Sequence, residues 1–260
     1  MKNRINTLLE KKPSGLVSVY FTAGHPYKDS AMPILKALQD NGADMAEIGI
    51  PFSDPMADGP VIQNSSSVAL KNGMSVRTLF EQLKNVRDEI TIPLLFMGYL
   101  NPIMQYGFEN FCVSCKKTGI DGMIIPDLPF QDYVNYYKPV AAKYGVSVIM
   151  LITPETSSER VRLIDDNTSG FIYIVSSAST TGAKDRFGQE HYKYFERIKD
   201  MGLKNKCLIG FGISNKETLR DAQKYSSGAI IGSKFVKLLE ENETPDKATK
   251  VLFSEIAAGV

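Results

Sequence analysis

Histidine and cysteine are scarce in this chain: two and three residues in 260. A serine–histidine triad is not credible with so few histidines. A structural zinc site wants four ligands, and the pair Cys112 and Cys115 has only Cys207, His25 and His191 to add. The pair also falls one turn apart on a helical pattern beside Phe108 and Phe111, which points to packing, so no metal is expected. His25 lies in a Gly-His-Pro stretch and reads as a loop residue. No apolar run approaches the roughly 18 residues that a membrane span needs. The first residues, M-K-N-R-I-N-T-L-L-E-K-K, hold too short an apolar stretch for a secretory signal and read as an amphipathic helix. A net charge of +1 argues against a nucleic-acid or polybasic membrane surface. Few cysteines and no signal lead us to expect a cytoplasmic protein.

What is present is a repeated alternation. Short apolar runs that read as strands are Val17–Thr22, Met45–Gly49, Leu94–Met97, Gly122–Ile125, Ser147–Ile152, Phe171–Val175, Cys207–Gly210 and Ala229–Ile231. They are nearly continuously apolar, as parallel strands buried on both faces should be. Between them lie helical patterns: Ser30–Asn41, Val76–Asp88, Phe108–Thr118, Asp132–Tyr144, Ser158–Asp166, Gln189–Lys199, Lys216–Tyr225 and Lys234–Asn242. A further helix near Asp246–Ala258 closes the chain. Eight such units predict an α/β (β/α)8 TIM barrel over residues 1–260 as a single domain, with extra N-terminal and C-terminal helices. A doubly wound open sheet is the alternative, but it rarely needs eight equivalent units.

Two carboxylates stand out in E-I-G-I-P-F-S-D-P-M-A-D-G-P, residues 47–60. Glu47 lies inside a predicted buried strand, where an unpaired carboxylate costs several kcal/mol. Asp58 lies in the Pro/Gly-punctuated connection after it. In a barrel both fall at the C-terminal end of the strands, where active sites form. The stretch Pro51–Asn64 is long for a strand-to-helix connection, which marks it as functional. A structurally satisfied Glu47 and a turn residue at Asp58 remain the bland alternative. No lysine falls inside a predicted strand, against a Schiff-base aldolase.

Glycines punctuate the later loops in T-T-G-A (180–183), G-F-G-I-S (210–214) and I-I-G-S-K (230–234). The last two follow strands seven and eight, a frequent phosphate site in barrels. Backbone N–H groups and a helix N-terminus favour a dianion there without a required lysine or arginine. Ser233 can add a hydroxyl donor.

These segments, with F-T-A-G-H-P (21–26), G-Y-L-N-P-I (98–103), P-D-L-P (126–129) and S-x-x-x-T-G (177–182), resemble the tryptophan synthase α subunit family along essentially the whole chain. The resemblance implies a lyase, the retro-aldol cleavage of indole-3-glycerol phosphate to indole and glyceraldehyde 3-phosphate late in tryptophan biosynthesis. It implies a β subunit as partner in an α2β2 assembly, a small phosphate substrate, and no cofactor in this chain, pyridoxal phosphate belonging to the partner. By the same resemblance Glu47 is the acid/base carboxylate and Asp58 meets the indole N–H. Tyr173 and Thr181 support the site. Gly182, Gly212, Gly232 and Ser233 form the phosphate cradle, and Tyr20 and Phe211 form apolar pocket walls. The chain departs from the family where many members read S-R-A-G-x-T-G: Ser177 and Ser179 stand for the arginine and glycine. A regulatory partner with weak activity of its own, or another phosphate-binding barrel isomerase, are the rival readings.

Overall fold

The computed structural model describes residues 3–176 and 186–257. Eight parallel strands close into a barrel in chain order. They are β1 (Leu16–Thr22), β2 (Met45–Gly49), β3 (Leu94–Met97), β4 (Gly122–Ile124), β5 (Ser147–Ile152), β6 (Phe171–Val175), β7 (Lys206–Gly210) and β8 (Gly228–Ile231). The runs looked uniformly apolar because both faces are buried, yet the two faces serve different cores. Val17, Val19 and Phe21 of β1, with Ala46 and Ile48 of β2, pack outward against the helices. Leu16, Tyr20, Met45, Leu95, Ile124, Ile149, Phe171, Leu208 and Ile230 fill the interior. Register sets the layers: Tyr20 pairs with Glu47, and Glu47 with Leu95.

The N-terminal helix Arg4–Lys11 closes the bottom of the barrel. Asn3 caps it by accepting from the Asn6 N–H, and its buried residues Ile5 and Leu9 join the interior core. Nearby, Asp121 is 3% exposed and receives the Arg4 guanidinium at 3.1 Å, that of Arg87 at 2.6 Å and the Leu94 N–H at 3.0 Å. This charge cluster ties the first helix to β3 and β4. The C-terminal helix, Pro245–Ala257, packs on the helix Ser233–Glu241. Cys112 and Cys115 are buried in the outer shell, as their helical spacing predicts.

Beyond shifts of one residue at helix ends, two helices and the course of two others differ from the sequence reading. A helix Pro60–Lys71 takes up part of the expected long loop, which shrinks to residues 50–59. Its buried face is Ile62, Ser65, Ser66 and Ala69, so serines stand where periodic apolar residues would have signalled it. A second helix, Leu100–Tyr106, starts where the Asp127 carboxylate accepts from the Leu100 N–H at 2.8 Å. The pattern over Val76–Asp88 breaks after Gln82 and resumes as a 3-10 turn, Val86–Asp88, from which Arg87 reaches Asp121. The Asp132–Tyr144 pattern starts at Phe130 and passes through a π turn, Tyr133–Tyr137, before Lys138–Tyr144. Pro139 has no N–H to give the helix there, which accounts for the widened turn. Lys206 opens β7, one residue earlier than read, but it is exposed and at the end of the strand away from Gly210.

Candidate active site

The inward alternation of β1 and β2 places Glu47 inside the barrel with no exposed surface. One carboxylate oxygen accepts from the Ser18 hydroxyl of β1 at 2.9 Å. The other, Oε2, is buried with no partner among the described residues. Burial pushes this carboxyl up from 4.5 to about 8, against the Ser18 hydrogen bond, which lowers it. Glu47 is therefore a protonated acid at neutral pH, and its proton belongs on the unpartnered oxygen. A buried carboxylic acid with a free O–H is poised to give its proton to a bound molecule.

Asp58 sits half-buried in the connection after β2. The Tyr99 hydroxyl donates to its Oδ2 at 2.9 Å, and the Ala57 N–H donates to that same hydroxyl at 2.9 Å. Gln63, on the helix that follows, donates to the Asp58 carbonyl at 2.8 Å. Burial raises the Asp58 carboxyl to about 6, partly offset by the Tyr99 hydrogen bond. The two carboxyls thus separate: at pH 7 Glu47 is protonated and Asp58 ionised. Both fields reach Tyr173, whose hydroxyl is held well above its ordinary range by burial first and then by Glu47 and Asp58.

Two glycines make room for two tyrosines. A Cβ on Gly49 would strike the Tyr20 hydroxyl, and one on Gly210 would strike that of Tyr173. Each glycine ends its strand, β2 or β7, and each tyrosine comes from the preceding strand, β1 or β6. The rings therefore lean sideways across the barrel mouth. Phe211 stacks edge-on against Tyr173 with centroids 6.2 Å apart.

Past the ends of β7 and β8 lies the glycine pair read as a phosphate cradle. Gly210 and Ile230 are the last register partners of these strands, and Gly212 and Gly232 each follow two residues beyond. Phe211 and Gly212 both have positive φ, 66° and 76°. Such a conformation costs a non-glycine residue about 1–3 kcal/mol. Ser176 supports it by donating to the Phe211 carbonyl at 2.7 Å. Gly232 precedes the helix Ser233–Glu241 and has no side chain to cap it, so among the described residues no cap takes up its first N–H groups. Lys234 turns to Glu255 at 2.7 Å, leaving the cradle to the backbone and Ser233.

Thr181 and Gly182, with Ser177 and Ser179, lie outside the described residues. His25 is buried in the loop after β1 and bonds Glu240 at 2.9 Å, away from both carboxyls' partners. Sequence reasoning missed Ser18 and Tyr99. Tyr99 stood inside the quoted G-Y-L-N-P-I segment, so the signal was present but its partner was not.

Comparison with known proteins gives the family. The sequence model described as "Tryptophan synthase alpha chain" matches residues 5–258. A tryptophan synthase alpha chain of Bacteroides thetaiotaomicron is 58% identical over 246 residues, 95% of this chain and 96% of that one. That of Parabacteroides distasonis is 58% identical over 254 residues, 98% and 99% of the two chains. The fold superposes on a chain in the crystal structure of the tryptophan synthase complex from Pyrococcus furiosus with a TM-score of 0.86. That chain is 35% identical, with 95% of this chain and 99% of that one covered.

Proposed function

The chain belongs to the tryptophan synthase alpha chain family, and from that premise we propose that Glu47 and Asp58 carry its reaction. That reaction is the cleavage of indole-3-glycerol phosphate to indole and glyceraldehyde 3-phosphate. The observation that carries the assignment is the placing of the two carboxyls in one barrel mouth, Glu47 fully buried with an oxygen that has no partner among the described residues and Asp58 half-buried at the rim under the Tyr99 hydroxyl.

The chemistry follows from that placing. Indole is a poor carbon leaving group. The Glu47 acid gives its proton to ring carbon C3, using the C2–C3 π pair, and positive charge develops at the ring nitrogen. Ionised Asp58 stabilises that charge through the ring N–H. The Glu47 carboxylate then takes the proton from the hydroxyl on the side-chain carbon bonded to C3. As that oxygen becomes the aldehyde carbonyl, the C–C bond breaks and its electron pair restores the aromatic ring. Glu47 ends protonated, as it began. Gly212, Gly232 and Ser233 hold the phosphate remote from the bond, and Gly182 joins them by the family resemblance. Remote binding of this kind positions the reacting carbon. Tyr173 and Phe211 wall the ring site, with Tyr20 beside them, and Thr181 acts in support of Asp58.

In this family the alpha chain works with a β subunit, which uses pyridoxal phosphate to join indole to serine; the alpha chain needs no cofactor. The rim of the 50–59 connection, with exposed Asp54 and Met56, is the surface we assign to that partner. We read residues 1–260 as one barrel domain, supported by the pairing of β1 with β8, the first strand with the last. A cytoplasmic location is supported by three free cysteines. The test is a steady-state assay of indole release from indole-3-glycerol phosphate, with and without a β subunit. Release by the isolated chain supports the lyase. Release only with the partner also supports the lyase, in a form that the partner activates, and none in either case sinks the assignment.

A further inference from the structure

Tyr20 is more than an apolar wall. Its hydroxyl lies 3.3 Å from the Thr22 hydroxyl, which lies 2.6 Å from the Ser65 hydroxyl, and Ser65 donates to the Ile62 carbonyl at 2.9 Å. Thr22 and Ser65 have no exposed surface, and Tyr20 is 9% exposed. The chain runs from the barrel mouth into the helix Pro60–Lys71, which directly follows the Asp58 connection.

The direction of these hydrogen bonds is set at the far end. A carbonyl only accepts, so the Ile62 bond uses the single Ser65 proton. Thr22 must then donate to Ser65, and Tyr20 must donate to Thr22. The opposite direction would leave the Ile62 bond unmade, satisfying two contacts instead of three. A buried hydroxyl chain takes the direction that satisfies all its members. The phenol proton is thereby directed down the chain, and the Tyr20 oxygen keeps only acceptor capacity.

Where that oxygen sits gives the consequence. The ring lies in the notch left by Gly49, the last residue of β2, two residues beyond Glu47. Its Cβ would be 3.7 Å from a Cβ on Gly232. Tyr20 therefore stands between the carboxyl pair and the glycine cradle, and the Asp58 charge reaches its hydroxyl. Resting on the reading of this mouth as the indole-3-glycerol phosphate site, we infer that Tyr20 is a specificity-determining residue: a fixed acceptor that, beside Asp58, selects a ring bearing an N–H donor. Two acceptors face the ring nitrogen, so a ring of the same shape without N–H is disfavoured by both.

The experiment measures binding of indole and of benzothiophene, which carries sulfur in place of N–H, with glycerol 3-phosphate present. Wild type should prefer indole. Tyr20→Phe keeps the ring and removes the acceptor, and should cut that preference about two- to tenfold, the range for one neutral hydrogen bond. Thr22→Val keeps the phenol but frees its proton, turning an acceptor into a donor. It should cut the preference by at least as much. Loss of packing alone would weaken both rings equally and leave their ratio unchanged. An unchanged ratio in Tyr20→Phe overturns the inference, and an unchanged ratio in Thr22→Val overturns the role of the hydroxyl chain. Failure of wild type itself to prefer indole overturns the inference too, whereas failure to cleave indole-3-glycerol phosphate counts against the parent reading of the site.

Discussion

Replacing Glu47 with Gln should remove activity and make the protein more stable at neutral and alkaline pH. In the folded chain this carboxyl titrates near 8, against 4.5 as the ordinary value. Below pH 4.5 it is protonated whether the chain is folded or not, and it contributes no pH dependence. As pH rises from 4.5 towards 8 the unfolded chain ionises and the folded chain does not, so folding loses stability. Above about 8 both states are ionised and the loss levels off. At about 1.4 kcal/mol per pKa unit, the loss from this one site between pH 5 and pH 8 is about 3–4 kcal/mol. Glutamine keeps the acceptor oxygen for Ser18 but cannot ionise, so the variant escapes this loss. The assay is urea unfolding of both proteins across that range, paired with indole release at each pH. Wild type should lose about 3–4 kcal/mol more than the variant, while turnover in the variant falls by at least roughly 10⁴-fold, because the group serves two proton transfers. Equal pH dependence of the two proteins would mean that Glu47 is not held protonated. Retention of a tenth of the wild-type turnover would remove it as the acid.

The pH profile of kcat/KM should be a bell, since cleavage needs Asp58 ionised, above about 6, and Glu47 protonated, below about 8. Asp58→Asn should lower kcat strongly with a smaller effect on KM and abolish the acid limb. A rise in KM alone would leave Asp58 a ground-state binder. Gly212→Val adds a β-branched side chain at a φ of 76°, and calorimetry should show weaker binding of glycerol 3-phosphate. Unchanged affinity would move the phosphate elsewhere. Asp121→Ala leaves Arg87 without its carboxylate partner and should destabilise the fold by about 3–5 kcal/mol, seen as a lower urea midpoint. Asp54→Ala should reduce activation by a β subunit more than it reduces the rate of the isolated chain; equal reductions would place the partner on another face.

The barrel itself could be read from the chain alone. Strands buried on both faces are continuously apolar, and eight of these runs alternating with helical periods admit few other folds. The two carboxylates were also legible, because a charged residue within the Met45–Gly49 run contradicts its surroundings. The glycines after β7 and β8 stood out because the phosphate site proposed there would rest on the backbone.

What sequence could not supply was everything that depends on distant residues meeting. The helix Pro60–Lys71 was hidden by Ser65 and Ser66, whose burial makes sense only once Thr22 of β1 is seen to bond Ser65. Tyr99 and Asp58 are 41 positions apart, yet their hydrogen bond decides how firmly the carboxylate is held. Tyr20 looked like a hydrophobic wall because an aromatic residue in a strand reads that way. Its polarity follows from a chain of three hydroxyls that only closure of the barrel brings together. The separation of the carboxyls has the same origin. Glutamate and aspartate differ little in water, and it is the depth to which tertiary packing buries each one that leaves Glu47 holding a proton and Asp58 without one.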